Sequence, residues 1–166
     1  YYPTITIDGS GNFVITWQDS RNVNYDIYAQ RYDFSGTPLG VNFKVNDDIG
    51  PCDQLDPAIA KASSGYFVIC WDDCRKGNRD IYAQRYASSG YGLGSNFKVN
   101  DDLVFAYQWS PAVAMDTLGN FVITWTDERN LDADIYAQRY DSSGTLLGSN
   151  FKVNDDFGTS PQVSPG

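Results

Sequence analysis

Asp-Ile-Tyr-Ala-Gln-Arg-Tyr occupies residues 26–32, and the same seven residues return at 80–86 and 134–140. In an extended strand Ile27, Ala29 and Arg31 take one face, while Tyr28, Gln30 and Tyr32 take the other. Other phrases keep the same step. Phe-Val-Ile-x-Trp begins at Phe13, Phe67 and Phe121, and Asn-Phe-Lys-Val-Asn-Asp-Asp at Asn42, Asn96 and Asn150, each 54 residues apart. Pro3, Pro57 and Pro111 follow suit. Self-similarity at such a period marks a repeat architecture.

Each unit reads as four short strands. The first follows the proline (Thr4 to Ile7, Ala58 to Lys61, Ala112 to Met115) and ends at a Gly-containing turn. The second is the Phe-Val-Ile-x-Trp run, the third is Asp-Ile-Tyr-Ala-Gln-Arg-Tyr, and the fourth is Asn-Phe-Lys-Val-Asn. In the second strand Phe67, Ile69 and Trp71 alternate with Val68 and Cys70, so both faces are apolar. A sheet apolar on both faces must be covered on both, as a propeller blade is by its neighbours. The alternative, a free β-sandwich, would show one polar face per strand.

The predicted fold is therefore all-β: three four-stranded antiparallel propeller blades of 54 residues plus the first strand of a fourth. The expected boundaries within the single 1–166 segment are 1–54, 55–108, 109–158 and 159–166. Pro161 is read as the counterpart of Pro111, which makes the last linker four residues shorter than the others. Three blades fall short of the usual four to eight. The chain is expected either to be a segment of a longer propeller or to assemble from several wedges through exposed blade edges and faces.

Composition removes many functions. The net charge is -9 and there is no His. An acidic surface repels nucleic acid and anionic membranes. Without His, the usual acid/base chemistry at neutral pH and His-based metal sites are closed. No stretch approaches the run of about 18 apolar residues that a membrane helix needs.

The strings Trp125-Thr126-Asp127-Glu128-Arg129 and Asp134-Ile135-Tyr136, followed by a Ser-Gly turn, resemble the blades of TolB-type propellers. An even closer likeness is to the I-Y-A-Q-R-F/Y repeats of large secreted or surface-attached bacterial proteins. The S-P-D-G hairpin of the TolB-type repeat is absent here and the unit is longer, so no TolB-type partner is implied. What the resemblance does imply is a propeller in a secreted or cell-surface setting, bacterial in origin.

Asp19 and Arg21, Asp73 and Arg75, and Asp127 and Arg129 recur with a later Asp at 26, 80 and 134. A ring of anion or sugar ligands is one reading. A repeated brace, with each Arg forked between its local carboxylates, suits a feature that every unit carries. The pairs Asp47-Asp48, Asp101-Asp102 and Asp155-Asp156 should line one rim and are weak calcium candidates, although no known calcium-loop spacing is present. Otherwise no cofactor is expected.

Departures from the repeat carry individuality. Cys52, Cys70 and Cys74 belong to the second unit alone. If the turn at Ser63-Ser64-Gly65 folds two strands together, Cys52 falls near Cys74, and a disulfide is expected there. Cys70–Cys74 is the weaker choice, because two Cys four apart on an extended strand lie too far apart to bridge. A disulfide implies an oxidising compartment. Phe105, Tyr107 and Trp109 in the second linker, together with Tyr91, are candidate contacts to sugar rings or a partner. The functional expectation is a non-catalytic structural or protein-interaction module, self-assembling or not. The alternative is a carbohydrate-binding or glycan-processing propeller.

Overall fold

The computed structural model describes residues 1–101, 106–130, 132–155 and 161–165. They form three four-stranded antiparallel sheets. The first holds β1 (Thr4–Ile7), β2 (Phe13–Asn22), β3 (Asn24–Tyr32) and β4 (Phe43–Lys44); the second β5 (Gln54–Lys61), β6 (Phe67–Asp73), β7 (Asp80–Tyr86) and β8 (Gly92–Lys98). The third holds β9 (Gln108–Met115), β10 (Phe121–Asp127), β11 (Asp134–Tyr140) and β12 (Phe151–Lys152). Within each sheet the strands lie side by side in chain order. Residues at the start of β1, β5 and β9 line one shared cavity, so these strands are innermost.

The sheets stack face to face in series, as propeller blades do. Val14, Ile27, Ala29 and Val45 of the first sheet pack on Phe67, Ile69, Trp71, Tyr82 and Tyr86 of the second. Val68, Cys70, Ile81, Ala83 and Val99 of the second meet Phe121, Ile123, Trp125, Tyr136 and Tyr140 of the third. Each blade thus has an aromatic face toward its predecessor and a small, β-branched face toward its successor. Burying one such side chain contributes about 1.5–3 kcal/mol, so each junction is chiefly hydrophobic.

A polar frame repeats around this core. Arg31 Nη2 donates to Ser88 O at 2.9 Å and Arg85 Nη2 to Ser142 O at 2.7 Å, each crossing to the turn of the next blade. Gly90 and Gly144 permit that approach. Both sit at positive φ, and a Cβ on either would strike the Arg guanidinium at 2.7 and 2.5 Å. The outer strands β4 and β12 have two residues each, shorter than the expected five. Val45 N still donates to Ile27 O, but the next rung is taken by a side chain, with Ile27 N donating to Asn46 Oδ1 at 2.8 Å.

Two expectations are corrected. Pro161 is not the counterpart of Pro111. Gln162 N donates to Ala133 O as Gln108 N does to Arg79 O. Asn154 Nδ2 donates to Gln162 Oε1 at 2.9 Å, as Asn100 does to Gln108 and Asn46 to Gln54. The step of 54 residues therefore continues unbroken, Pro165 is the true counterpart, and the last linker is not shortened. Second, the later Asp of each unit is not the partner of the upstream Arg. Asp26, Asp80 and Asp134 are buried and pair with Lys44, Lys98 and Lys152 at 2.7, 2.8 and 2.8 Å. Lys lies on the outer strand beside Asp, whereas Arg lies flat over a tyrosine ring, its guanidinium carbon 4.0–4.2 Å from the ring centre.

Candidate functional site at the axial mouth

The three inner strands begin with the same irregularity. Tyr2, Asp56, Ser110 and Ser164 precede Pro3, Pro57, Pro111 and Pro165, and all four adopt positive φ, between 48° and 58°. This is the left-handed region, costly for any residue with a Cβ and opposed by a following proline's preference for extended backbone. Where β5 meets β6 and β9 meets β10, the ladder register shifts beside these residues, marking a bulge. Backbone strain held at corresponding points of successive units is a pointer to a site.

The bulges converge on a cavity of about 340 Å³ lined by Tyr2, Asp56, Ser110, Ser164 and the prolines that follow them. It lies on the axis of the propeller. Thr4 Oγ1 donates to Pro57 O at 3.3 Å, tying the first inner strand to the second. Asp56 N donates to Gln18 Oε1 at 2.9 Å, and Ser164 N to Thr126 Oγ1 at 3.1 Å. The strained backbone is thereby anchored while its side chains line the opening.

The second unit differs from the others behind this mouth. Gln18 and Thr126 correspond to Asp72, whose carboxylate is fully buried and takes both bonds from Arg79 Nη1, at 2.9 and 2.8 Å. Burial pushes the Asp72 carboxyl up to about 7 against the pull of Arg79, and the neighbouring Asp56 charge adds to the rise. At the mouth itself the second unit places the Asp56 carboxylate, while Asp72 behind it is met by Arg79.

The residues singled out from sequence fall in several places. Arg75 Nη1 meets Asp47 of the preceding linker at 2.6 Å and Nη2 meets Asp73 at 2.7 Å; Arg129 meets Asp101 and Asp127 at 2.8 and 2.7 Å. Arg21 instead reaches Asn42 Oδ1 at 3.0 Å. Its guanidinium also bonds Asp19, holding that carboxyl well below the usual range. Burial works against ionisation at Asp26, but bonds from Asn46 and Lys44 outweigh it and lower its pKa. Asp48 accepts from Asn46 Nδ2 at 2.8 Å, and Asp155 is exposed. Asp102, Asp156 and Phe105 lie outside the described residues. Among those described, no group of three or more Cys, Asp or Glu side chains could hold a metal ion.

Cys52 and Cys74 form a disulfide with Cα atoms 5.6 Å apart, and Cys70 is a buried free thiol. Tyr107 and Trp109 sit at the end of the blade where the inner strand starts. Tyr91 follows the turn at the opposite end, 75% exposed. The aromatic candidates are therefore not brought together. The axial residues escaped sequence reading: the residue before each repeated proline changes from Tyr to Asp to Ser and its neighbours change with it, so only the proline marks the place.

No family model matches the sequence, and no curated protein does either. Solved structures do match in fold. An α-L-arabinanase of Penicillium chrysogenum, complexed with arabinobiose, superposes with a TM-score of 0.64 at 11% identity, over 92% of this chain and 50% of that one. The α-L-arabinofuranosidase Arb93A of Fusarium graminearum, in complex with an iminosugar inhibitor, gives 0.63 at 11% identity, over 97% and 52%. An endo-arabinase of Bacteroides thetaiotaomicron gives 0.57 at 17% identity, over 93% and 62%. The chain spans about half to three fifths of these proteins. The class is a β-propeller, and at these identities the likeness is one of fold.

Proposed function

We propose that this chain is a carbohydrate-recognising portion of an extracytoplasmic β-propeller and that its axial mouth receives a neutral glycan. The observation that carries the reading is the convergence of Tyr2, Asp56, Ser110 and Ser164 on one cavity. A phenol ring offers a face for sugar C–H groups, a carboxylate accepts from adjacent hydroxyls, and serine hydroxyls donate and accept. A few polar groups placed on an otherwise apolar concave surface are what orients a small ligand. The net charge of -9 disfavours anionic glycans, which makes a neutral one the fitting partner. The fold shared with arabinan-acting enzymes supports the class of ligand.

Recognition rather than cleavage is proposed, because glycoside hydrolysis ordinarily uses two carboxylates facing the bond and Asp56 is the one carboxylate among the described lining residues. The Cys52–Cys74 disulfide and the likeness of the repeats to those of secreted and surface-attached bacterial proteins support the setting. Titration calorimetry against neutral arabino-, xylo- and gluco-oligosaccharides tests the reading. Binding to at least one is expected, weakened about tenfold or more by Tyr2→Ala or Asp56→Asn. A full panel without binding sinks it.

A further inference from the structure

The cleft between the second and third blades has a homologue between the first and second, and the two differ in one direction. Asp8, Asn12, Asp33, Lys61 and Ser64 line the first cleft. By the step of 54 their counterparts are Ala62, Tyr66, Ala87, Met115 and Leu118, so each change runs from polar to apolar. The other lining positions keep their residue or, at Ser63 and Thr117, their hydroxyl. The third unit returns to Asp116, Asn120 and Asp141. The apolar set is therefore confined to the surroundings of one cleft.

The exchange opens the space. At the first cleft the buried Lys61 and Asp8 side chains meet at 2.9 Å and leave about 300 Å³; the second cleft is about 840 Å³. Its walls include Phe67, Tyr86, Leu93, Met115 and Phe121. Tyr66 and Leu118 stand at the rim, 46% and 77% exposed. Arg85 is the one charged residue among the described lining residues, and its guanidinium is already engaged. Nη1 donates to Ser143 O, and Nη2 donates to Ser142 O at 2.7 Å. The lining comes from the second and third units alone, at the end of the blades away from the axial mouth.

We propose that this cleft is a second binding site, separate from the axial mouth, and that it takes a small uncharged aromatic molecule. A concave space of this size, mostly apolar with a few polar groups, is the ordinary form of a small-molecule site. Tyr66, Phe67, Tyr86 and Phe121 supply rings, and Met115 supplies a flexible, polarizable thioether that adapts to a ring edge. The ligand is uncharged because a buried charge needs a partner. Asp8 and Lys61, which partner each other in the first cleft, have no charged counterparts here, and Arg85 is held by two carbonyls. The hydroxyls of Ser64, Ser142 and Ser143 leave room for one polar substituent. A ligand fits better than a partner's surface, because the space is walled by a blade on each side and a flat surface would leave it empty.

Titrating the 166-residue chain with indole, followed by NMR of the backbone amides, tests this. Saturable shifts at Tyr66, Leu93 and Leu118 are expected, with a much weaker response to an indole carboxylate. The double variant Ala62→Asp/Met115→Lys rebuilds the ion pair of the first cleft. It should weaken binding about tenfold or more, because it fills the space and returns charge to it. Leu118→Ser changes an exposed position to the residue that the first cleft carries, and should weaken binding about threefold through lost apolar contact. It keeps the test open if the double variant does not fold by circular dichroism. A titration without shifts at the cleft overturns the proposal, as does indole binding that survives both variants or a carboxylate that binds as tightly. Self-association in sedimentation velocity, lost in the double variant, would make a second copy the occupant and overturn it too. Tyr2→Ala should leave indole binding unchanged; an effect there would move the site to the axial mouth. Glycan binding is measured separately, so failure of one proposal leaves the other standing.

Discussion

The junction between the first and second blades and the junction between the second and third share a frame and differ in what fills it. Arg75 to Asp47 repeats as Arg129 to Asp101, and Phe43 against Tyr86 repeats as Phe97 against Tyr140. At the first junction Lys61 Nζ meets Asp8 Oδ2 at 2.9 Å, with both side chains at most 7% exposed, and it also donates to Asn12 O. At the second, Met115 and Ala62 take those positions, and the cleft there is about 840 Å³, against about 300 Å³ at the first. The linker is locked at the first junction by Cys52–Cys74, whose counterparts are Ala106 and Glu128. Equal repeats thus give equal geometry, while a few unrepeated residues make one junction closed and covalently held and the other open and apolar.

The largest test of that contrast removes the cross-link. Cys52→Ala with Cys74→Ala should cost about 3 kcal/mol in denaturant melts, since a bridge of this separation restricts the unfolded chain. Adding a reductant to the native chain should reproduce the loss, and reductant should leave the double variant unchanged. Next comes the buried ion pair. Lys61→Met should cost about 2 kcal/mol, because Asp8 is left buried without its cation while keeping its bonds from Asn12 and Ser10. Asp8→Ala with Lys61→Met, which copies the second junction, should cost clearly less than the single change. If it costs more, the pair stabilises in its own right and the contrast between junctions is sharper than drawn.

The last test concerns pH. Asp72 is held near 7 in the folded chain against about 3.9 when unfolded. Between those values the folded state binds more protons, so stability should fall as pH rises from about 4 to about 7. Carboxyls lowered in the fold, among them Asp8, Asp19, Asp26 and Asp134, lose their contribution only at lower pH, outside that window. Asp72→Asn should flatten the fall. Melting temperatures across the window would show it, and an unchanged slope would mean that Arg79 keeps Asp72 charged throughout.

The architecture was open to reading because alternation and period are written directly in residue order. Phe-Val-Ile-x-Trp and Asp-Ile-Tyr-Ala-Gln-Arg-Tyr carry both faces of each blade. The register of the last unit was missed because Pro161 and Pro165 both follow a serine; the column Gln54, Gln108, Gln162 separates them, as does the constant step from Asn42, Asn96 and Asn150 to Pro57, Pro111 and Pro165. Carboxylate partners were harder still. Arg21 and Lys44 are equally cationic, and only the sheet shows that Lys44 comes alongside Asp26. The axial mouth depends on the chain meeting itself around an axis, and no local pattern expresses that.

The left-handed residues ahead of the prolines have a practical consequence. Their direction is set by backbone and bulge, so the fold is indifferent to whether Tyr, Asp or Ser stands there, at a cost of about 1–2 kcal/mol for each such residue. Each unit therefore offers one interchangeable position on a shared opening. Rewriting positions 2, 56, 110 and 164 in combination would change the chemistry of the opening while leaving the stacked sheets untouched, which makes this fold a scaffold for building binders.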